Sequence, residues 1–159
     1  MPAPQEHTDH AQGALDDLMS AFLASVSFEP GGRPEYDRIR PLFIDRGLLI
    51  KNVGGATETS DVEEFISPRS ELVSSGALSQ FLEREEASTT STFGAVAQRR
   101  SVYSKSGVQN GEAFAARGII FTQFVETAGT WRISSMIWDD ERDGLALDEA
   151  DASSRAATL

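Results

Sequence analysis

Leu15, Leu18, Met19, Phe22, Leu23 and Val26 recur at intervals of three and four residues, which puts them on one stripe and predicts an amphipathic helix from Ala14 to Phe28. The stretch "EPGGRP" interrupts it, and Pro34 suits the first turn of a second, short helix carrying Tyr36, Ile39, Leu42 and Phe43 and ending at Gly47. Leu48 to Val53 reads as a strand closed by Gly54 and Gly55. Ser60 or Asp61 then caps a third helix through Val62, Phe65, Ile66, Leu72 and Val73, with Pro68 as a kink. Beyond Gly76 the apolar period drops to two, which predicts strands near residues 78–87, 93–105, 112–126 and 131–139, joined by turns in "STTS", "SGVQNG" and "TAGT". Three helices followed by a meandering sheet is an α+β layout.

Symmetric hairpins would pair Tyr103 with Phe114 and Thr122 with Ser135. One face of the sheet then carries Arg99, Ser101, Tyr103, Ile120, Thr122 and Ser135, and the other Arg100, Val102, Phe121, Met136 and Trp138. Both faces are substantially apolar, whereas a half-exposed antiparallel sheet alternates apolar with polar. Three helices cover one face, so the other is expected to meet a second copy of the chain in a homodimer.

Charge narrows the partners. The 159 residues hold 14 basic and 25 acidic side chains, a net charge of −11, which repels nucleic-acid backbones and anionic membranes. Neither a secretion signal nor a membrane span is legible, and the absence of cysteine excludes disulfides and thiolate chemistry, so the expected compartment is cytoplasmic. Residues 1–12 read as a flexible arm, 13–141 as the domain, and 142–159 as an acidic, flexible tail. Both histidines, His7 and His10, fall in the arm. "DDERDG" at Asp139 imitates the start of a calcium loop, but its twelfth position is Ala150 and the closing carboxylate is missing. No metal or cofactor is implied.

The segments "FLERE" at Phe81, "FGAVAQRRSVYS" at Phe93 and "RGIIFTQFVETAGTWRISSMIWDDE" at Arg117, in this order and at these spacings, resemble the nuclear transport factor 2-like superfamily. The likeness is to its SnoaL-like and ketosteroid isomerase-like bacterial members. That resemblance implies a cystatin-like α+β cone. In it, three N-terminal helices pack in the concave face of a curved, mixed or antiparallel sheet around a largely apolar pocket, commonly in dimers formed through the sheet's outer face. The superfamily spans isomerases, dehydratases, epoxide hydrolases and binding modules, so the fold leaves function open. Its dehydratase-like members use a cavity histidine, and Gln98 stands here where related sequences often have one.

Two sets of residues remain as candidates. Arg99, Ser101, Tyr103, Thr122 and Ser135 are polar groups scattered among apolar neighbours, the composition of a pocket for a small, largely apolar organic molecule. Glu83 and Glu85 share one strand face; either could act as a general base with Tyr103 as proton donor, or pair with Arg99 or Arg100 across the hairpin. Three functions follow: a binding pocket, a metal-independent isomerase, dehydratase or epoxide hydrolase, or a structural dimerisation module.

Overall fold

The computed structural model describes residues 3–148, 150 and 151. Its first helix, α1, spans Pro4–Val26 and so starts ten residues before the predicted one. Pro4 fits the first turn, where its missing N–H has no partner to lose. Fully buried Ala11 extends the stripe of Leu15, Met19 and Phe22, and Gln5–Asp9 and Gln12–Asp16 hydrogen bonds support the exposed side. Hydrophobic spacing alone is blind to an alanine contact and to such pairs. The residues expected to form a loose arm are therefore helical from Pro4; Met1 and Pro2 lie outside the described residues.

The second helical segment is two successive 3-10 turns, Tyr36–Arg38 and Arg40–Leu42. Pro41 cannot donate the hydrogen bond that a continuous α-helix would require. Strand β1 then begins at Phe43 and runs to Lys51, so Gly47 lies within a strand, beside a register shift and Arg46 at φ 65°. A short β2, Glu58–Ser60, precedes α2, Val62–Ser74. Asp61 caps α2 by accepting the Glu64 N–H at 2.8 Å, while Glu64 accepts the Asp61 N–H at 3.2 Å.

Four long strands follow: β3 Leu78–Phe93, β4 Val96–Gln109, β5 Glu112–Thr127 and β6 Thr130–Asp140. The sheet order is β2-β1-β6-β5-β4-β3, with β1 parallel to β6 and every other pairing antiparallel. This is an open, mixed six-stranded sheet with the helical segments against one face, an α+β cone. "STTS" is strand, not turn, as suits two adjacent threonines; the chain reverses at Gly94–Ala95. The other reversals are two-residue turns at Asn110–Gly111 and Ala128–Gly129, all four residues in the left-handed region.

Two bulges decide which side chains face the helices. In β3 the register shifts between Glu85 and Ala87, so Glu83 and Glu85 face inward while Arg84 and Glu86 face outward, where Glu86 accepts from Arg117 at 2.8 Å. In β6, Ser134 is the extra residue: Gln123 pairs with Ser135 but Phe124 pairs with Ile133. Thr122 consequently faces Met136, not Ser135. Met136 and Trp138 turn inward, and Ser135 and Ile137 outward, the reverse of what symmetric hairpins predict. On the outer face Arg100 is paired with Asp151, and the Leu147 N–H donates to Glu141 at 2.9 Å. Residues 142–148 are thus tied back to the body, and the rest of the expected tail, 149 and 152–159 apart from Ala150 and Asp151, lies outside the described residues.

The middle of α1 is fixed to the sheet by Arg99, which is 4% exposed. Its Nε and Nη2 donate to the two Glu85 carboxylate oxygens at 3.0 and 2.6 Å, and its Nη1 to Asp16 on α1 at 2.5 Å and to Thr90 at 3.1 Å. Ser101 donates to Glu85 at 2.6 Å. Removing one member of such a buried pair leaves the other charged and unsolvated. Arg99→Leu is expected to lower the unfolding free energy by about 3 kcal/mol, read from the urea midpoint at pH 7; a loss below about 0.5 kcal/mol, the range of a surface substitution, would disprove the clamp.

Candidate functional site

Beyond this clamp, α1 and the sheet diverge toward the end where β4 finishes and β5 begins, and α2 closes the side. A cavity of about 600 Å³ lies there, large enough for a drug-sized organic molecule. Phe22 of α1, Phe65 of α2 and Trp138 of β6 form one wall, with Phe65 packed 6.2 Å from Phe22 and 6.4 Å, edge-on, from Trp138. Phe81 and Phe114, 6.2 Å apart, form the opposite wall, and Ile120 and Met136 the floor. Six polar side chains stand among these apolar walls: Tyr36, Arg69, Glu83, Lys105, Gln109 and Asp140; Lys51 and Glu58 also line the cavity, from a paired position on β1 and β2.

Glu83 and Lys105 are cross-strand partners, yet their side chains do not form an ion pair. The Lys105 ammonium lies 3.0 Å from Asp140 Oδ1 instead. Asp140 also accepts a hydrogen bond from the Tyr103 hydroxyl, with the Asp139 carbonyl 3.1 Å from the same oxygen. Burial, and then the hydrogen bond to Asp140, raise the Tyr103 pKa above its ordinary value. The ring reaches this position because residue 118 is glycine: a Cβ there would stand 2.4 Å from the Tyr103 Oη.

The Glu83 carboxyl has no hydrogen-bond or ion-pair partner among the described residues; only its backbone is held, by Ser27. Burial pushes its pKa up from 4.5 to about 7, against the pull of Lys105 and with the support of the nearby Asp140. A half-ionised carboxyl facing an apolar cavity can take up or release a proton near neutral pH.

The sequence-predicted residues separate into three places. Glu83 lines the cavity, while Glu85, Arg99 and Ser101 are consumed in the clamp under α1. Thr122 is fully buried beside Met19, its hydroxyl 3.7 Å from the Met19 sulfur. Tyr103 reaches the site through Asp140 and through the Lys105 ammonium, 5.5 Å from its ring centroid. Ser135 is on the outer face, 3.4 Å from Gln123, carried there by the bulge at Ser134. Gln98 is exposed on that same outer face.

Sequence reasoning missed Tyr36, Arg69, Lys105 and Asp140. Lys105 was within reach of the alternation argument, two positions after Tyr103. Asp140 was hidden by the register error that turned Met136 and Trp138 the wrong way. Arg69 had only its helical offset of four from Phe65 as a signal.

The Glu83 shift implies a stability effect of definite sign. The folded protein holds this proton up to about pH 7, whereas the unfolded chain releases it near the ordinary 4.5. Stability contributed below pH 4.5 is therefore lost as pH rises to about 7, by up to about 3 kcal/mol. Glu83→Gln, a permanent mimic of the neutral acid, should melt higher than wild type at pH 8 and equally at pH 4.5. Identical melting curves for the two proteins at pH 8 would refute the perturbed carboxyl.

No protein-family model matches the chain, and no curated protein sequence matches it either. Solved structures do. Hexachlorocyclohexane dehydrochlorinase LinA-type3 from Novosphingobium barchaimii LL02 is 12% identical over 84% of this chain and 88% of its own, with a TM-score of 0.69. A protein from Novosphingobium aromaticivorans DSM 12444, provisionally assigned as a scytalone dehydratase, is 11% identical over 87% and 89%, with a TM-score of 0.70. A nuclear transport factor 2-like protein of unknown function from Silicibacter pomeroyi DSS-3 is 16% identical over 84% and 98%, with a TM-score of 0.57. The helical segments on one face of an open mixed sheet, the long β3–β6 meander and these likenesses show that the chain shares the α+β cone fold of these three proteins.

Proposed function

We propose that the protein binds a small, largely apolar organic molecule in the cavity between α2 and the sheet. The observation that carries this reading is a space of about 600 Å³ walled by aromatic and aliphatic side chains, with the unpartnered carboxyl of Glu83 facing it. A space of that size counts against a purely structural module whose own side chains fill the centre. The test is extraction of the purified protein with organic solvent, followed by mass spectrometry. A stoichiometric small molecule that a cavity-filling Ala116→Trp variant does not retain is the expected result; an empty wild-type extract, together with no uptake from a panel of steroid, terpene and polyketide-like compounds, would defeat the reading.

A second reading, a metal-independent isomerase, dehydratase or epoxide hydrolase, draws support from the chemistry of Glu83. A carboxyl poised near pH 7 is suited to removing a proton from carbon or activating water, with the Lys105 ammonium close enough to stabilise a developing negative charge. Tyr103 is a poorer proton donor than its sequence position suggests, because its hydroxyl is committed to Asp140. In this reading Glu83→Gln should lower kcat by about two orders of magnitude or more while leaving KM within a few-fold. A variant with full turnover of a compound that wild type converts would make Glu83 a binding residue only.

The proposed partner is a second copy of the chain. Leu48, Phe121 and Ile137 are 38, 49 and 43% exposed on the outer face, and Phe121 and Ile137 are adjacent across β5 and β6. Met136 and Trp138, expected in this surface, are not part of it. Light scattering at micromolar concentration should give about twice the 17.2 kDa chain mass. Phe121→Asp with Ile137→Asp should return it to the mass of one chain, and a wild type that is already monomeric would remove this interface.

A further inference from the structure

Of the three cations that line the cavity, Lys105 is matched by Asp140, while Lys51 and Arg69 have no ion-pair partner among the described residues, and of these two it is Arg69 whose guanidinium is fixed in place. No carboxylate among the described residues lies within ion-pair distance of Arg69. Its guanidinium lies over the Phe65 ring, with Cζ 3.7 Å from the ring centroid, and Nη1 donates to the Phe65 carbonyl oxygen at 3.0 Å. Both contacts come from the residue four positions earlier on α2, so the helix itself holds the group in place. Burial lowers the Arg69 pKa, with Glu58 the largest opposing charge, but an arginine stays cationic at neutral pH.

A guanidinium carries five N–H donors around its rim, and stacking leaves that rim open. One donor is engaged here, and the side chain lines the cavity. A planar, immobilised fork with unused donors, set in an apolar space, matches a carboxylate better than any neutral group.

We propose that the cavity selects a ligand bearing a carboxylate, which the free N–H edge of Arg69 grips while the ligand's apolar body lies along Phe81, Ile120, Met136 and Trp138. The proposal rests on the cavity being a ligand site and adds the chemical class of the ligand.

A second consequence follows from Glu83. The charges that face it are Lys105 from β4, Asp140 from β6 and Arg69 from α2, with Glu58 of β2 and Tyr36 on the far side of Arg69. A bound carboxylate occupies Arg69 and brings a further negative charge, and both effects disfavour ionised Glu83. Binding therefore draws one proton from solvent onto Glu83 in those molecules where it is ionised, and affinity for the anion falls as pH rises through about 7.

The test uses a matched pair of nearly equal shape, 1-naphthaleneacetate and uncharged 1-naphthaleneacetamide, titrated into the full chain by calorimetry at pH 7. The carboxylate should bind about tenfold or more tightly than the amide, the scale of a charged hydrogen-bonded pair. Arg69→Met should bring the two within about twofold, and Arg69→Lys, which keeps the charge and loses the fork, should fall between. In wild type the carboxylate's apparent enthalpy should differ between phosphate and Tris buffers, reporting proton uptake, and in Glu83→Gln that difference should vanish while the preference for the carboxylate persists. Equal binding of the two compounds by wild type, or a preference unchanged in the Arg69→Lys variant, overturns the proposal and leaves the cavity as a neutral-ligand site. Binding of neither compound overturns it together with the reading on which it rests. Should Arg69→Met not fold, the wild-type pair and Arg69→Lys decide the question.

Discussion

Where the helix α1 lies on the sheet is decided by one buried cation. Arg99 reaches from β4 to two carboxylates on different elements, Glu85 on the neighbouring strand and Asp16 on the helix, and it is almost wholly withdrawn from water. Glu85 already pairs with two of its nitrogens, and the third, Nη1, finds its carboxylate only where Asp16 meets it, which favours that position of α1. Apolar side chains such as Leu15 and Met19 provide most of the attraction between helix and sheet, but they would tolerate sliding by a fraction of a turn. The clamp removes that freedom. The cavity lies beyond the clamp, where Phe22 and Val26 from the later half of α1 line it.

The same arrangement explains why two glutamates two residues apart behave so differently. Glu85 stands opposite Tyr103 but is close to Arg99 and Ser101, which satisfy both of its oxygens. Glu83 stands opposite Lys105, the residue that would neutralise it, and Asp140 has already drawn that ammonium away. Tyr103 completes the diversion by donating to Asp140 from the other side. A lysine with two carboxylates in range serves one and leaves the other in an apolar space, and a carboxyl without a partner stays neutral to higher pH. The raised pKa of Glu83 thus comes first from burial and is kept by a competition between neighbours that leaves its carboxyl without an ion pair.

Periodicity made the class of the fold, the long meander and the inward set Arg99, Ser101, Tyr103 and Thr122 legible from the residues themselves. It failed wherever local backbone geometry broke the period. Pro41 turned a predicted helix into 3-10 turns, the threonines of "STTS" carried a strand through a predicted turn, and Ser134 reversed the faces of β6. The candidate site suffered most from the last of these. With Met136 and Trp138 assigned outward, the wall they form and Asp140 beside them had no place in the expected pocket. Pairing of Glu85 with Arg99 across the hairpin was within reach of the pattern, but the part played by Asp16, 83 residues from Arg99 in the chain, was beyond it.

Ser134 also bears on how the two surfaces of this protein can change. Because side chains alternate along a strand, the single extra residue sets the phase of everything after it: Met136, Trp138 and Asp140 inside, Ser135 and Ile137 outside. Substitution at any one of these positions edits one surface and leaves the other alone. Were Ser134 to pair in regular register, the two sets would exchange, presenting the cavity wall to the outside and burying the outer patch, whereas its deletion would leave Gln123–Ser135 and Phe124–Ile133 as consecutive pairs and the faces as they are. The cavity and the outer face therefore share one phase, set at Ser134, and a residue gained or lost between Ser135 and Asp140 would disturb both at once, while one lost at the bulge itself need not.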